Sequence, residues 1–185
     1  MKITPTQLKD VLIIEPQVFG DQRGYFLETY QSRRYADAGI GLPFVQDNIS
    51  FSQQGTLRGL HYQYPNGQAK MVQVLQGEIF DVAVDIRRGS PTFGQSVGVA
   101  LCGASHQQLY IPPGFAHGFC VISPSALFMY KCSDYYAPQH EGGLRWNDPD
   151  LRIAWPVREP ILSERDRHWP RLADIAADRL PPYEV

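Results

Sequence analysis

The chain has 185 residues, 43% hydrophobic and 19% charged, with a formal net charge of -2 at neutral pH. That length supports one domain with a real core, and the apolar content excludes a largely disordered chain. The near balance of charge excludes the broad basic field of a nucleic-acid binder, so an anionic ligand must be met by a few placed cations.

Near the N-terminus, the apolar piece from Val11 to Ile14 is interrupted by Glu15 and Pro16. It is too short for the apolar stretch of a secretion signal and far too short to span a bilayer. "ETYQSRRYADAG", Glu28 to Gly39, is a candidate helix with a glycine where a cap would fall. "GTLRGLHYQ" then opens a series of strands. "MVQVLQGEIFDVAVDIR" gives two apolar runs broken at Gln76, Gly77 and Glu78. In the second run, Phe80, Val82, Val84 and Ile86 share one face while Asp81 and Asp85 point the other way.

After the turn "RRGSPTFGQ" come "SVGVAL", "QQLYIP", "GFCVIS" and "ALFMYKCS", separated by "CGAS", "PPGFAH" and "SPS". Short strands at this spacing, with turn residues between them, predict an all-β sandwich or barrel. A second helix is predicted in "LSERDRHWPRLADIAADRL", with Ser163 as N-cap and Glu164 and Asp166 in its first turn. There is no repeat, linker or low-complexity tract, so residues 1–185 read as one domain. Cys102, Cys120 and Cys132 are odd in number and lack CxxC spacing, which suggests reduced thiols in a cytoplasmic protein.

The chemistry centres on two histidines. His117 lies in "IPPGFAHGF", a Pro-x-Gly-x-x-His pattern of the kind a cupin places on one strand pair beside a His-x-His motif on another. Gln63 stands where the second histidine of that motif would be. With Arg58 and Lys70 close by in the chain, a divalent cation would be repelled, so no metal is expected. His61 taken by itself reads as a buried ring bonded to a backbone carbonyl. The surrounding inventory offers more: Arg58, Lys70 and Arg23 suit phosphate or enolate oxygens, Tyr130 offers a phenol and Asp166 a carboxylate. A His held by an Asp, with a Tyr opposite and a Lys between, can remove a proton α to a carbonyl. Each also has a plain alternative: Tyr130 as core packing, Asp166 as a helix cap, Lys70 as a strand-edge charge. Sequence pattern alone does not bring them together.

"FGDQRGYFLETY", "QDNISFS", "GTLRGLHYQ", "QAKMVQVLQGEIFDVAVDIRRGSPTFG", "IPPGFAHGF", "YKCSDYYAPQHEGGLRWNDPDL" and "ILSERD" together resemble the dTDP-sugar epimerase family of the cupin superfamily, over roughly residues 1–170. The resemblance implies a cupin double-stranded β-helix, or jelly roll, with a few short peripheral helices, working as a homodimer without cofactor. It implies epimerisation at C3 and C5 of dTDP-4-dehydro-6-deoxy-D-glucose in dTDP-L-rhamnose biosynthesis, or at one of these carbons in another deoxysugar pathway. His61 would be the general base, Asp166 its partner and Tyr130 the general acid. Lys70 and His117 would line the substrate, with Lys70 beside the C4 oxygen. Arg23, Glu28, Gln46, Asp47, Asn48, Arg58 and Glu141 would contact nucleotide and sugar, and Tyr136 would lie near the sugar. Arg23 and Glu28 would reach the partner subunit's site. A metal-dependent cupin and a non-catalytic nucleotide-sugar binder are the competing classes.

Overall fold

The strands follow one another closely along the chain, as the turn spacing predicts. The structure, a computed structural model, describes residues 1–183. In chain order the strands are β1 (Lys2–Pro5), β2 (Leu12–Glu15), β3 (Val18–Asp21), β4 (Gly24–Leu27), β5 (Gln46–Gln53), β6 (Leu57–Gln63), β7 (Lys70–Gln76), β8 (Glu78–Asp85), β9 (Ser96–Cys102), β10 (Gln108–Ile111), β11 (Phe115–Val121), β12 (Ser125–Cys132) and β13 (Glu141–Gly143). Helix α1 (Ser32–Asp37) follows β4, and α2 (Glu164–Arg167) follows β13. Six strands form one sheet in the order β1-β2-β10-β7-β12-β5, and five form a second in the order β13-β6-β11-β8-β9. Hairpin β3–β4 stands apart as a two-stranded ribbon.

The two large sheets face each other in a cupin-type jelly roll. Val72, Val74, Leu109, Ile111 and Phe128 from the first meet Ile79, Ala83, Val97, Phe115 and Phe119 from the second in one apolar cluster. The outer faces are covered too. Leu60, Tyr62, Val82, Val84 and Ala116 pack under Leu144, Leu151, Leu172 and Leu180 from the C-terminal third. On the first sheet, Ile14, Met71 and Tyr110 pack against Tyr35 and Ile40 around α1. Burial on both faces explains why β11 is buried along its whole length rather than in alternation.

That double coverage reaches β8 as well. Asp81 and Asp85 do lie opposite Val82 and Val84, but their face is the barrel interior and both are fully buried. Asp85 accepts hydrogen bonds from Arg87, Ser90 and Thr92, and Asp81 is bonded to His117.

The second helix is also shorter than its pattern suggests. Ser163 does cap it, its hydroxyl accepting from the Asp166 backbone N–H at 3.1 Å. The helix stops after Arg167, because Pro170 cannot continue it: its ring would clash with the Asp166 carbonyl four residues back. The chain instead runs through 3-10 turns at Leu172–Asp174 and Ala177–Arg179, which seat Leu172 and Leu180 on the sheet. Helix α1 begins at Ser32 rather than Glu28, with the Gln31 side chain accepting from the Arg34 N–H.

Candidate active site

Between the sheets, one end opens into a cleft of ≈ 690 Å³. Its floor is set by an irregularity in β6. His117 on β11 pairs with His61, yet Phe119, two residues on, pairs with Arg58, three residues back. Strict alternation would send Arg58 and His61 to opposite faces; this bulge turns both inward. The strands approach closely there. Gly59 has φ +125°, and a Cβ on it would lie 2.6 Å from the Gly118 Cα, so only glycine fits.

On this wall His61 and His117 stand side by side, each joined to a carboxylate. His61 Nε2 lies 2.5 Å from Asp166 Oδ1. His117 Nε2 lies 2.9 and 3.0 Å from the two oxygens of Asp81. Burial works to raise the Asp166 pKa, but bonds from His61, the Ser163–Asp166 cap and Trp169 outweigh it and hold the carboxyl below its usual value. With Nε2 committed to Asp166, Nδ1 is the His61 nitrogen left to take a proton.

The facing wall belongs to β5, β7 and β12. Tyr130 pairs with Val72 on one side and Asn48 on the other, and Lys70 pairs with Cys132; Tyr130, Asn48, Lys70 and Cys132 all face the cleft. Burial pushes the Tyr130 phenol above its ordinary value. Burial pulls Lys70 below its ordinary value, with Cys132, Asp81 and Glu141 acting only partly against this. Among the described residues Lys70 has no ion-pair partner, so its charge is available to a ligand. Along β5, Gln46, Asn48 and Ser50 line the same wall, and the buried Ser50 hydroxyl has no partner among the described residues.

The rim is tied together by Glu141. Its Oε2 accepts from the Tyr136 hydroxyl at 2.8 Å and from Arg165 at 2.5 Å. Gln63, the residue in place of a second histidine, is buried and holds the loop below Tyr136. Its amide donates to the carbonyls of Asn66 and Tyr135 and accepts from the Ala137 N–H. Among the described residues, no group of three or more His, Cys, Asp or Glu side chains is gathered as a metal site.

The cleft thus brings together His61, Tyr130, Asp166, Lys70, His117, Arg58, Gln46, Asn48, Tyr136 and Glu141. It does not bring in Arg23, which sits at the β3–β4 turn paired with Asp21 at 2.5 Å, or Glu28, which is paired with Arg34 at 2.7 Å. Asp47 lies on the outer face of β5, bonded to Lys131 at 2.9 Å.

A family model described as dTDP-4-dehydrorhamnose 3,5-epimerase matches residues 5–174. The chain belongs to that family. It is 52% identical to the dTDP-4-dehydrorhamnose 3,5-epimerase of Pseudomonas aeruginosa, over 98% of this chain and 100% of that one. A solved Legionella pneumophila dTDP-6-deoxy-D-glucose-3,5-epimerase, in complex with dTDP-4-keto-L-rhamnose, superposes with a TM-score of 0.97. The two are 53% identical over 100% of this chain and 99% of the other. The dTDP-4-dehydrorhamnose 3-epimerase of Streptomyces niveus is 41% identical over 99% of this chain and 90% of that one. As a member of the 3,5-epimerase family, the chain is an isomerase of the carbohydrate epimerase class.

Sequence reasoning missed several participants. Asp81 read only as a strand residue opposite the apolar face of β8, and Arg165 and Trp169 as parts of a longer helix. Arg165 had a signal, since it adjoins Asp166 in "SERD". Ser50 lay inside "QDNISFS" without a role of its own, and Trp169 had no signal, because only the tertiary fold brings it to the cleft.

Proposed function

We propose that this epimerase inverts C3 and C5 of dTDP-4-dehydro-6-deoxy-D-glucose, with His61 as base and Tyr130 as acid. The observation that carries this reading is that the two stand on opposite walls of one cleft. Inversion at carbon needs a proton removed from one face and another delivered to the opposite face. A single group on one wall would return the proton where it was taken.

The C4 ketone acidifies the protons on C3 and C5. Removal of either one by the free His61 nitrogen leaves an enolate with its charge on O4. Lys70 meets that oxygen with an unpaired ammonium in a partly dry site, a preorganised term worth roughly 3 kcal/mol. Asp166 holds the imidazole tautomer and stabilises the imidazolium once formed. Tyr130, kept protonated by its burial, then donates from the other face. Each inversion leaves His61 protonated and Tyr130 ionised; His61 then releases its proton to solvent and Tyr130 regains one, so two rounds with a ring flip between them invert both carbons. Arg58, whose Nε donates to Ser52 at 3.1 Å, presents its outer nitrogens to the diphosphate. Gln46, Asn48, Tyr136 and Glu141 contact nucleotide and sugar.

The active unit in this reading is a homodimer. Phe19, Tyr25 and Phe26 on the β3–β4 ribbon, and Ile49 and Phe51 on edge strand β5, are all at least 60% exposed. Pairing of two chains through these surfaces would cover them and carry Arg23 and Glu28 to the partner's cleft. We also place the protein in the cytoplasm, on the strength of three free cysteines, two of them buried. No helix of the described residues is long and apolar enough to cross a membrane.

The test is isotope incorporation from deuterated water into the dTDP-4-keto sugar. Deuterium at both C3 and C5 is expected, lost at both in His61→Ala. Incorporation at one carbon alone would make the chain a single-site epimerase. Wild-type exchange in His61→Ala would remove His61 as base. In Tyr130→Phe, exchange should persist while inversion becomes poor.

A further inference from the structure

Trp169 lies outside every motif that suggests chemistry, yet three contacts place it at the base. Its indole Nε1–H donates to Asp166 Oδ1 at 3.2 Å, the same oxygen that lies 2.5 Å from His61 Nε2. Its ring stands edge-on to the His61 imidazole, 6.3 Å between centroids and inclined at 69°. It also rests on the bare backbone of Gly143, the register partner of His61 on β13. A Cβ at Gly143 would come within 2.4 Å of the indole. The chain just after the ring is fixed as well, the Pro170 carbonyl accepting from the Arg145 N–H at 2.8 Å. A large aromatic laid on a glycine, with its one polar atom aimed at a catalytic carboxylate, does more than fill space.

We propose that Trp169 is a positioning residue for the His61–Asp166 pair, orienting the carboxylate and drawing off part of its charge. The inference rests on the reading of His61 as base. Asp166 has an almost fully buried side chain, so its oxygens meet protein donors in place of water. A neutral N–H on Oδ1 favours the ionised carboxylate and fixes its rotamer. The same donor competes with His61 for that oxygen, so Asp166 holds the imidazolium less tightly than a carboxylate with His61 alone would. The base therefore returns its proton more readily between the two rounds of exchange. The other charged or titratable groups of the cleft around the pair are His117 with Asp81, Arg58, Tyr62, Lys70, Tyr130, Cys132, Tyr136, Glu141 and Arg165. All of them remain in place when Trp169 alone is changed.

Trp169→Phe keeps the ring and removes the donor. Its expected signature is a fall in kcat of about tenfold, with KM and dTDP binding little changed. The acid limb of kcat/KM should move to higher pH by roughly half a unit, since the carboxylate then commits more of its charge to the imidazolium. Gly143→Ala, whose methyl group displaces the indole, should shift the limb the same way. An unmoved limb with wild-type kcat in a folded Trp169→Phe would reduce the indole to packing, as would a shift to lower pH. In the unaltered protein the Trp169 indole N–H resonance should titrate with the midpoint of the acid limb, and a pH-invariant resonance would overturn the proposal even if both variants fail to fold. If His61→Ala retained proton exchange, the base assignment itself would fall. An inactive His61→Ala beside an unshifted Trp169→Phe would sink this inference alone.

Discussion

His61 and His117 stand opposite one another on adjacent strands, and each is joined through Nε2 to its own carboxylate: Asp166 at 2.5 Å, and Asp81 at 2.9 and 3.0 Å. The two pairs are not equivalent. The His61 side chain keeps 22% of its surface exposed, whereas that of His117 keeps 7% and stacks on Phe128. Asp166 has a second donor in Trp169, while among the described residues His117 is the sole side-chain partner of the fully buried Asp81.

Truncating each histidine should therefore give different losses. His61→Ala should lower proton exchange by at least ~100-fold while the remaining Trp169 bond still satisfies Asp166. His117→Ala should leave exchange measurable but strand the Asp81 carboxylate, costing about 2 kcal/mol and roughly 4–8 °C in Tm. Isotope exchange and thermal melting on the two variants check this. An exchange-dead His117→Ala with unchanged Tm would reverse the assignment.

Lys70 should govern the alkaline side of the pH profile. Burial draws its ammonium below the usual lysine value, while burial holds the Tyr130 phenol above its own usual value. Activity should fall before the ordinary lysine range near ~10.4 is reached. In Lys70→Arg, which keeps its charge, the alkaline limb should move up even though kcat falls. The stability sign runs the other way: with its pKa depressed, the folded state holds a poorly solvated charge below that pKa. Lys70→Met should therefore melt about 2–4 °C higher at neutral pH, a gain of ~1 kcal/mol that shrinks as pH rises through the depressed value. An alkaline limb unmoved in Lys70→Arg would separate Lys70 from the profile.

Much of this was legible in the chain. The break at Gly77 divides β7 from β8 where the apolar runs divide, and "PPGFAH" delivers His117 onto β11. Local pattern sufficed there because strand ends are set by turn residues. It failed where the outcome depended on what lies against an element. Arg58 and His61 are three apart, and only the bulge opposite Gly118 puts both in the cleft. Asp81 and Asp85 follow the alternation of a half-exposed strand, but the second sheet buries their face. The periodicity after Ser163 is helical, yet Pro170 and the pull of Leu172 and Leu180 onto the sheet unwind it. Arg23 and Glu28 lie outside the cleft because no residue of their own chain carries them there.

Asp85, paired with Phe115 on β11 and outside the cleft lining, offers a structural control. Burial acts to raise its pKa, but bonds from Arg87, Ser90 and Thr92 outweigh this and hold it below the usual carboxylate value. The Arg87 guanidinium also pairs with Asp10 and lies 4.5 Å over the Phe115 ring. Because the folded pKa is depressed, the contribution to stability is present above the unfolded value of ~3.9 and is lost as pH falls through the folded one. Asp85→Asn, which leaves Arg87 short of its buried partner, should cost about 3 kcal/mol at pH 7, roughly 6–12 °C in Tm. Its melting temperature should also depend less on pH below about 4. Melting curves across that range decide it; a variant as acid-sensitive as the parent would place the titrating group elsewhere.

Strand β5 presents two unlike faces, and the dimer prediction follows from them. Gln46, Asn48 and Ser50 point into the cleft, while Ile49 and Phe51 point out at 64% and 60% exposure. A sheet edge with two large apolar side chains is an aggregation hazard unless a second chain covers it. Replacing both outward residues, in Ile49→Glu with Phe51→Glu, should leave the cleft lining and each monomer fold intact while placing like charges in the interface. Sedimentation should then report a monomer where the unaltered protein reports a dimer. Activity should fall with dimer content, because Arg23 and Glu28 would no longer reach a partner's cleft. The decisive comparison is Arg23→Ala in the otherwise unaltered protein, which should stay dimeric yet bind dTDP more weakly. A fully active monomer would show that each cleft is complete in its own chain, and Arg23 would then have no part in binding.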